Sequence, residues 1–324
     1  MNKSKSHVND WFQPLLLFAL LVGMIIFLNF YSDAFMTKEN WLNILDNHMA
    51  HQLILGIGMT FVIATAGIDL SVGAILALSG IVLALALNNG YSILVSVVFA
   101  LLAATGMGTI NGLLVANFSI NPLIITLGTS SVFRGLSIIV TGGTPIYGMP
   151  NEFLQFAKGE YAIPLPVVLA IAVLICSVIM LRYTKWGQYT LSLGNSSEAL
   201  KRLGVNIAFQ KITVYALSGF LAGVATIIIS ARLNTAEATA GTGMEMNAIA
   251  AVIMGGTLLS GGKATILGTT IACTVLSVIK NGLTMMSVDA QYQEFIIGMI
   301  LLLAVIVLSL IHISEPTRRV VISY

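Results

Sequence analysis

The chain has 324 residues, of which only 9% are Asp, Glu, Lys or Arg and 57% are hydrophobic, with a net charge of +2 and a mean hydropathy of +0.95. Soluble domains carry roughly a quarter charged residues, so this composition excludes a water-soluble globule and indicates a protein of the lipid bilayer. The two cysteines, Cys176 and Cys273, each sit inside an apolar run. Neither a disulfide framework nor a thiolate metal site is indicated.

Taken in chain order, residues 1–13 form a short polar segment with Lys3 and Lys5. The apolar run 14–31 that follows is too long for a signal-peptide core and lacks a small-residue cleavage site, so it reads as an uncleaved first span. At about 20 apolar residues per crossing, nine more candidates follow at 49–66, 70–88, 92–116, 122–140, 164–182, 211–231, 246–259, 264–285 and 292–312. The second and eighth are short and glycine-rich, a pattern shared by full spans and by broken or re-entrant helices. The expectation is an all-α polytopic bundle, a single transmembrane domain over 14–312, with a count of ten uncertain by one or two.

Placing Lys and Arg on alternate sides of these spans tests the orientation. With the N-terminus inside, ten cations fall on the inner side (among them Arg182, Lys185, Lys201, Arg202, Lys211 and Lys263). Three fall outside (Lys38, Lys158 and Arg232), and Arg134 and Lys280 lie within spans. The asymmetry follows the positive-inside rule and puts both termini in the cytoplasm. The basic pI therefore reflects topology, and no nucleic-acid patch is visible.

Between the second and third spans stands GIDLSVG, with Asp69 and Ser71 framed by Gly67 and Gly73. A carboxylate at membrane depth is costly and nominates a functional position. Two roles are open: capping the unpaired amides where the third span starts, or lining a cavity where irregular backbone is tolerated. Other polar residues placed within spans are Asn111, Asn121, Thr126, Ser130, Ser131, Arg134, Asn247, Lys280 and Asn281. Such residues commonly bond a neighbouring helix; Asn111, Asn121, Thr126, Arg134 and Asn247 are also the candidates for a translocation path. His51, near the outer edge of the second span, reads as interfacial.

After the sixth span the cytoplasmic loop 183–210 contains Gly194-Asn195-Ser196 as a helix start, then Glu198, Leu200, Lys201 and Arg202, with Gly204 as a stop. A helix of two turns is not stable alone in water and needs something to dock into. Further on, GTLLSGG repeats the G-x-x-L-S-x-G spacing of GIDLSVG through Gly256, Leu259, Ser260 and Gly262. A Val-Ile pair precedes each, five residues before Gly67 and four before Gly256. Paired glycine-broken segments are the trace of an internal repeat around a transport path. On ten spans the repeats run parallel, and a count off by one would make them inverted.

Enzyme motifs are missing. There is no G-x-S-x-G or H-E-x-x-H, and the histidines have no metal spacing. In GTLLSGGKAT Gly256 and Gly262 are separated by five residues where a phosphate loop has four, and Ala264 stands where it needs Ser or Thr, so the chain carries no ATPase motif of its own.

The blocks NILDNHMAHQLILGIGMTFVIATAGIDLSVGAILALSG, LGNSSEALKRLGVN and GTGMEMNAIAAVIMGGTLLSGGKATILGT resemble the permease subunits of bacterial monosaccharide ABC importers, in the ribose branch, over roughly residues 40–310. The resemblance implies a multi-pass inner-membrane permease working as two copies, with an extracytoplasmic sugar-binding protein. It also implies a separate ATPase subunit that uses ATP and Mg, no cofactor being bound by this chain. The segment around Asn195 to Val205 would couple to that ATPase. Asp69 would serve an architecture common to members with different sugars, with capping favoured over a direct sugar hydrogen bond. The chain's end, IHISEPTRRVVISY, departs from the family's pattern; residues 313–324 read as a segment of frameshift or vector origin, to which no function is attached. The competing readings are an ion-gradient-driven secondary transporter, with Asp69 or Arg134 as its coupling charge, and a membrane-embedded enzyme.

Overall fold

A computed structural model describes residues 12–118, 120–158, 163–300 and 302. Long helices with apolar outer faces surround shorter, deeply buried ones. The long set comprises α1 (Phe12–Tyr31), α5 (Ile93–Asn117), α6 (Pro122–Thr141), α8 (Leu165–Tyr183), α11 (Ile207–Leu233) and α13 (Ile266–Met285). These six are long and apolar enough to cross a membrane. Phe18, Phe30, Leu94, Ile139 and Ile175 point outward from four of them, an exterior suited to hydrocarbon rather than water.

The inner set is α3 (Ala50–Ala64), α4 (Val72–Asn88) and α12 (Met244–Met254). At 15, 17 and 11 residues they fall short of a full crossing, so three of the ten expected spans are short central helices. The tenth starts as a helix over 290–300, labelled α14, and its remainder lies almost wholly outside the described residues, as does the 313–324 segment. The polar 1–13 segment lies almost wholly outside them too.

Fourteen of the fifteen α3 residues are buried. Beside it two long helices approach closely: on α5, Cβ atoms at Gly108 and Gly112 would collide with the backbone of Tyr215 and Ile212, and at Gly219 with the backbone of Ala104. Small residues at four-residue spacing on both α5 and α11 let the two backbones touch, as membrane helices without a hydrophobic driving force require.

At the end of the bundle where α3 begins, α2 (Lys38–Asn43) runs into a π-helical turn, Ile44–Met49, leading into α3. Asn40 and Asn281 exchange amide hydrogen bonds there, at 3.2 and 2.8 Å, which gives this in-span asparagine of α13 a partner. Arg232, at the end of α11, donates to the carbonyl oxygens of Asp46 and Asn47. Nearby, β1 (Ile146–Tyr147) pairs antiparallel with β2 (Thr235–Ala236), and α7 (Asn151–Lys158) follows β1. On the opposite side, α9 (Lys185–Asn195) and α10 (Ser197–Arg202) fill the 183–210 connection.

Candidate functional site

The break around Asp69 begins where α3 ends. Gly67 N–H donates to Val62 O at 3.2 Å and Ala66 N–H to Ile63 O at 2.9 Å, with Ala66 left-handed at φ 60. This is the two-bond Schellman termination. The end of α12 repeats it: Thr257 N–H to Val252 O at 3.2 Å, Gly256 N–H to Ile253 O at 3.0 Å, with Gly256 at φ 89. The geometry equates Val62 with Val252, one residue away from the register in which the glycines, leucines and serines match. Both terminations lie at the same end of the bundle, since Gly262 N–H donates to Ala64 O at 3.0 Å. The starts of the two helices also share one cavity, so α3 and α12 run parallel. Beyond the terminations the likeness ends: Ser71 is buried, whereas Ser260 is exposed in a tight turn.

From Gly67 the chain turns back into the bundle. Gly67 fits because a Cβ would lie 2.6 Å from the Tyr215 hydroxyl. Asp69 is 0% exposed. Its Oδ1 accepts from Ser71 N–H at 3.0 Å and Ser71 Oγ at 2.6 Å, and its Oδ2 accepts from Ser218 Oγ at 3.2 Å. Asn111 Nδ2 donates to Ser71 Oγ at 2.6 Å. Thr126 Oγ1 accepts from Leu70 N–H and donates to Ile68 O, both at 3.1 Å. Ser218 stands eleven residues into α11 and Asn111 six from the end of α5; at 1.5 Å per residue the carboxylate lies about 9–16 Å inside the bundle. An Asp-to-backbone turn thus starts α4 at depth, where no water can serve the free amides.

The start of α4 meets the start of α12. A Cβ on Gly73 would overlap Gly241 O and Glu245 Oε2, and one on Gly241 would lie 2.8 Å from Gly73 O. The chain after β2 therefore dips inward before α12 begins. Arg134, half-buried on α6, holds that dip by donating to Ala238 O and Ala240 O.

The 183–210 segment is tied to both glycine-rich turns. Ser196 caps α10 by accepting from Ala199 N–H at 3.2 Å, and Gly204 stops it at φ 79. Gly194 and Asn195 belong to the end of the preceding helix, α9. A Cβ on Gly194 would overlap Ala64 O and Gly262 N, and Asn195 Nδ2 donates to Gly262 O at 3.4 Å. Leu200 is buried, whereas Glu198 and Arg202 form an exposed pair at 3.5 Å. Leu203 beside them is 79% exposed, an apolar tip that the charge pattern of the loop gave no reason to notice. A cavity of about 520 Å³ opens between Glu198, Gly194, Gly67 and Tyr215.

The five path candidates separate in this structure. Asn111 and Thr126 are buried in the Asp69 network, Asn121 accepts from Leu123 N–H at 3.0 Å at the start of α6, and Arg134 holds the dip. Asn247 lines an open cavity of about 420 Å³. His51, expected at the interface, is 8% exposed and lines the same cavity.

A family model for the permease component of branched-chain amino acid transport systems matches residues 47–305. The chain belongs to this family. As a transport permease component it is 40% identical to the ribose import permease protein RbsC of Escherichia coli (strain K12), over 90% of this chain and 92% of that protein. It is 35% identical to RbsC of Bacillus subtilis (strain 168), over 94% and 95%. The D-allose transport system permease protein AlsC of Escherichia coli (strain K12) is also 35% identical, over 89% of each chain. No solved structure matches the chain.

Proposed function

We propose that the chain is the permease subunit of an ATP-driven importer of a monosaccharide, with D-ribose the first candidate. The observation that carries this reading is the end-to-end similarity to ribose import permeases. On this reading two copies form the pore in a bacterial inner membrane, N-terminus inside. A separate ATPase using ATP and Mg docks on α9 and α10, and an extracytoplasmic binding protein delivers the sugar.

Three structural features support it. Glu198, Arg202 and Leu203 stand out from α10 as a surface for a partner. Behind them, Gly194 and Asn195 are wedged against Ala64 and Gly262, so a push on α10 is delivered to the ends of α3 and α12. Asp69, the carboxylate an ion-coupled carrier would use, is fully enclosed by hydroxyl and amide donors and has no opening to an aqueous path.

The test is uptake of labelled D-ribose by cells carrying the gene with its ATPase and binding-protein neighbours. Loss on ATP depletion with survival under a proton ionophore is expected. Ionophore sensitivity at constant ATP would overturn the reading.

A further inference from the structure

The 420 Å³ cavity is bounded by the starts of α3 and α12, the outer part of α13 and the start of α14. Seven polar side chains line it: His51, Gln52, Thr242, Asn247, Lys280, Gln293 and Glu294. Its floor is the start of α12, next to the Gly73–Gly241 contact, so it reaches from the outer side down to the broken helices.

Thr242 and Gln293 donate to the protein itself, whereas part of the cavity's hydrogen-bonding capacity is unspent. His51 Nδ1 is buried and has no hydrogen-bond partner among the described residues. The side chains of Gln52 and Asn247 make no hydrogen bond among the described residues. A buried polar atom left unpaired is costly, and both carboxylate oxygens of Asp69, for comparison, are bonded. Amides and an imidazole carrying both donors and acceptors suit a neutral polyol. The volume equals roughly a dozen waters and lies within the usual range of small-molecule sites. Lys280 and Glu294 contribute one charge of each sign to the lining.

We propose that this cavity is a monosaccharide site within each permease subunit, with His51 and Asn247 as its principal hydrogen-bonding contacts. It is where sugar released by the binding protein rests before the path opens inward. The proposal rests on the transport reading above and adds a location to it.

The experiment uses the whole transporter in proteoliposomes, with D-ribose as the probe. Uptake is measured beside the ATP hydrolysis stimulated by ribose-loaded binding protein. Asn247→Leu and His51→Leu are expected to lower uptake at least tenfold while stimulated hydrolysis stays within twofold, and Asn247→Gln to recover part of the uptake. In a second measurement, Asn247→Cys is placed in a Cys176→Ser background, since Cys273 is buried. D-ribose is expected to slow its alkylation several-fold, and an equal concentration of glycerol is not. Unchanged uptake in both leucine variants, uptake and hydrolysis falling together, or alkylation indifferent to ribose would each overturn the site while leaving the transport reading intact. Wild-type vesicles that import no ribose would overturn the transport reading and the site with it.

Discussion

Gly194→Ala adds a single methyl at the point where three segments converge. The new carbon would overlap Ala64 O and Gly262 N, the two atoms joined by a 3.0 Å hydrogen bond, and would lie 2.9 Å from the Gly261 carbonyl carbon. Backbone cannot move aside as a flexible side chain can. Overpacking of this kind costs about 1–3 kcal/mol, and the broken hydrogen bond adds about 1 kcal/mol. The expected destabilisation is therefore about 2–4 kcal/mol. Gly204→Ala is the matched control: it sits ten residues on, at φ 79 with nothing within 4 Å, so it suffers only the left-handed penalty of about 1–2 kcal/mol. Thermal unfolding in detergent in a Cys176→Ser background, followed by a thiol-reactive dye that reaches buried Cys273 only on opening, compares the two directly. Gly194→Ala is expected to unfold at the lower temperature and to lose more ribose uptake. Equal melting of the two variants would refute the reasoning, because it would mean the three-way contact contributes nothing.

Asp69→Asn keeps an acceptor for Ser71 and offers an amide to Ser218, so folded yield is expected to drop modestly and sugar preference to stay unchanged. Asp69→Leu leaves the Ser71 hydroxyl, the Ser71 N–H and the Ser218 hydroxyl without acceptors, at about 1–3 kcal/mol for each group stranded in the interior, and is expected not to accumulate in the membrane. Detergent-soluble yield and competition uptake with D-allose measure both; altered selectivity at normal yield would move Asp69 into the sugar path. Glu198→Lys removes an exposed ion pair worth well under about 1 kcal/mol, so melting should be unchanged while uptake is lost, and normal uptake would remove the coupling role from α10. Ala66→Gly relieves an alanine held at φ 60 and should raise stability by about 1 kcal/mol in the dye assay; a lower melting point would contradict the strain.

Much of the bundle was legible because hydropathy is summed over whole segments. The stop at Gly204 was legible because only a residue tolerant of positive φ ends a helix that way. Gly194 and Asn195 were read as a helix start, since the run of glycine, asparagine and serine suits a cap. In the structure they close α9, and Ser196 alone caps α10. The reason is packing: Gly194 continues a helix because Ala64 and Gly262 leave room for nothing larger. The pairing of GIDLSVG with GTLLSGG caught two equivalent helix ends, but letters alone chose a register one residue from the one the hydrogen bonds choose. Asn111 and Thr126 looked like path residues because composition reports a polar group without reporting its partner. Gln52 escaped notice and His51 was read as interfacial for the converse reason: the cavity they face is assembled with residues some 190 to 240 positions away.

At Gly73 and Gly241 the tips of two buried segments rest on each other with bare backbone. A joint between side chains is toothed, and moving it requires each tooth to leave its rotamer well. Here the two backbones meet directly with only the Glu245 carboxylate beside Gly73, so few rotamers stand against one tip moving along the other by shear. A methyl group at either glycine would add a tooth, and the two halves of the broken structure would then have to move as one piece.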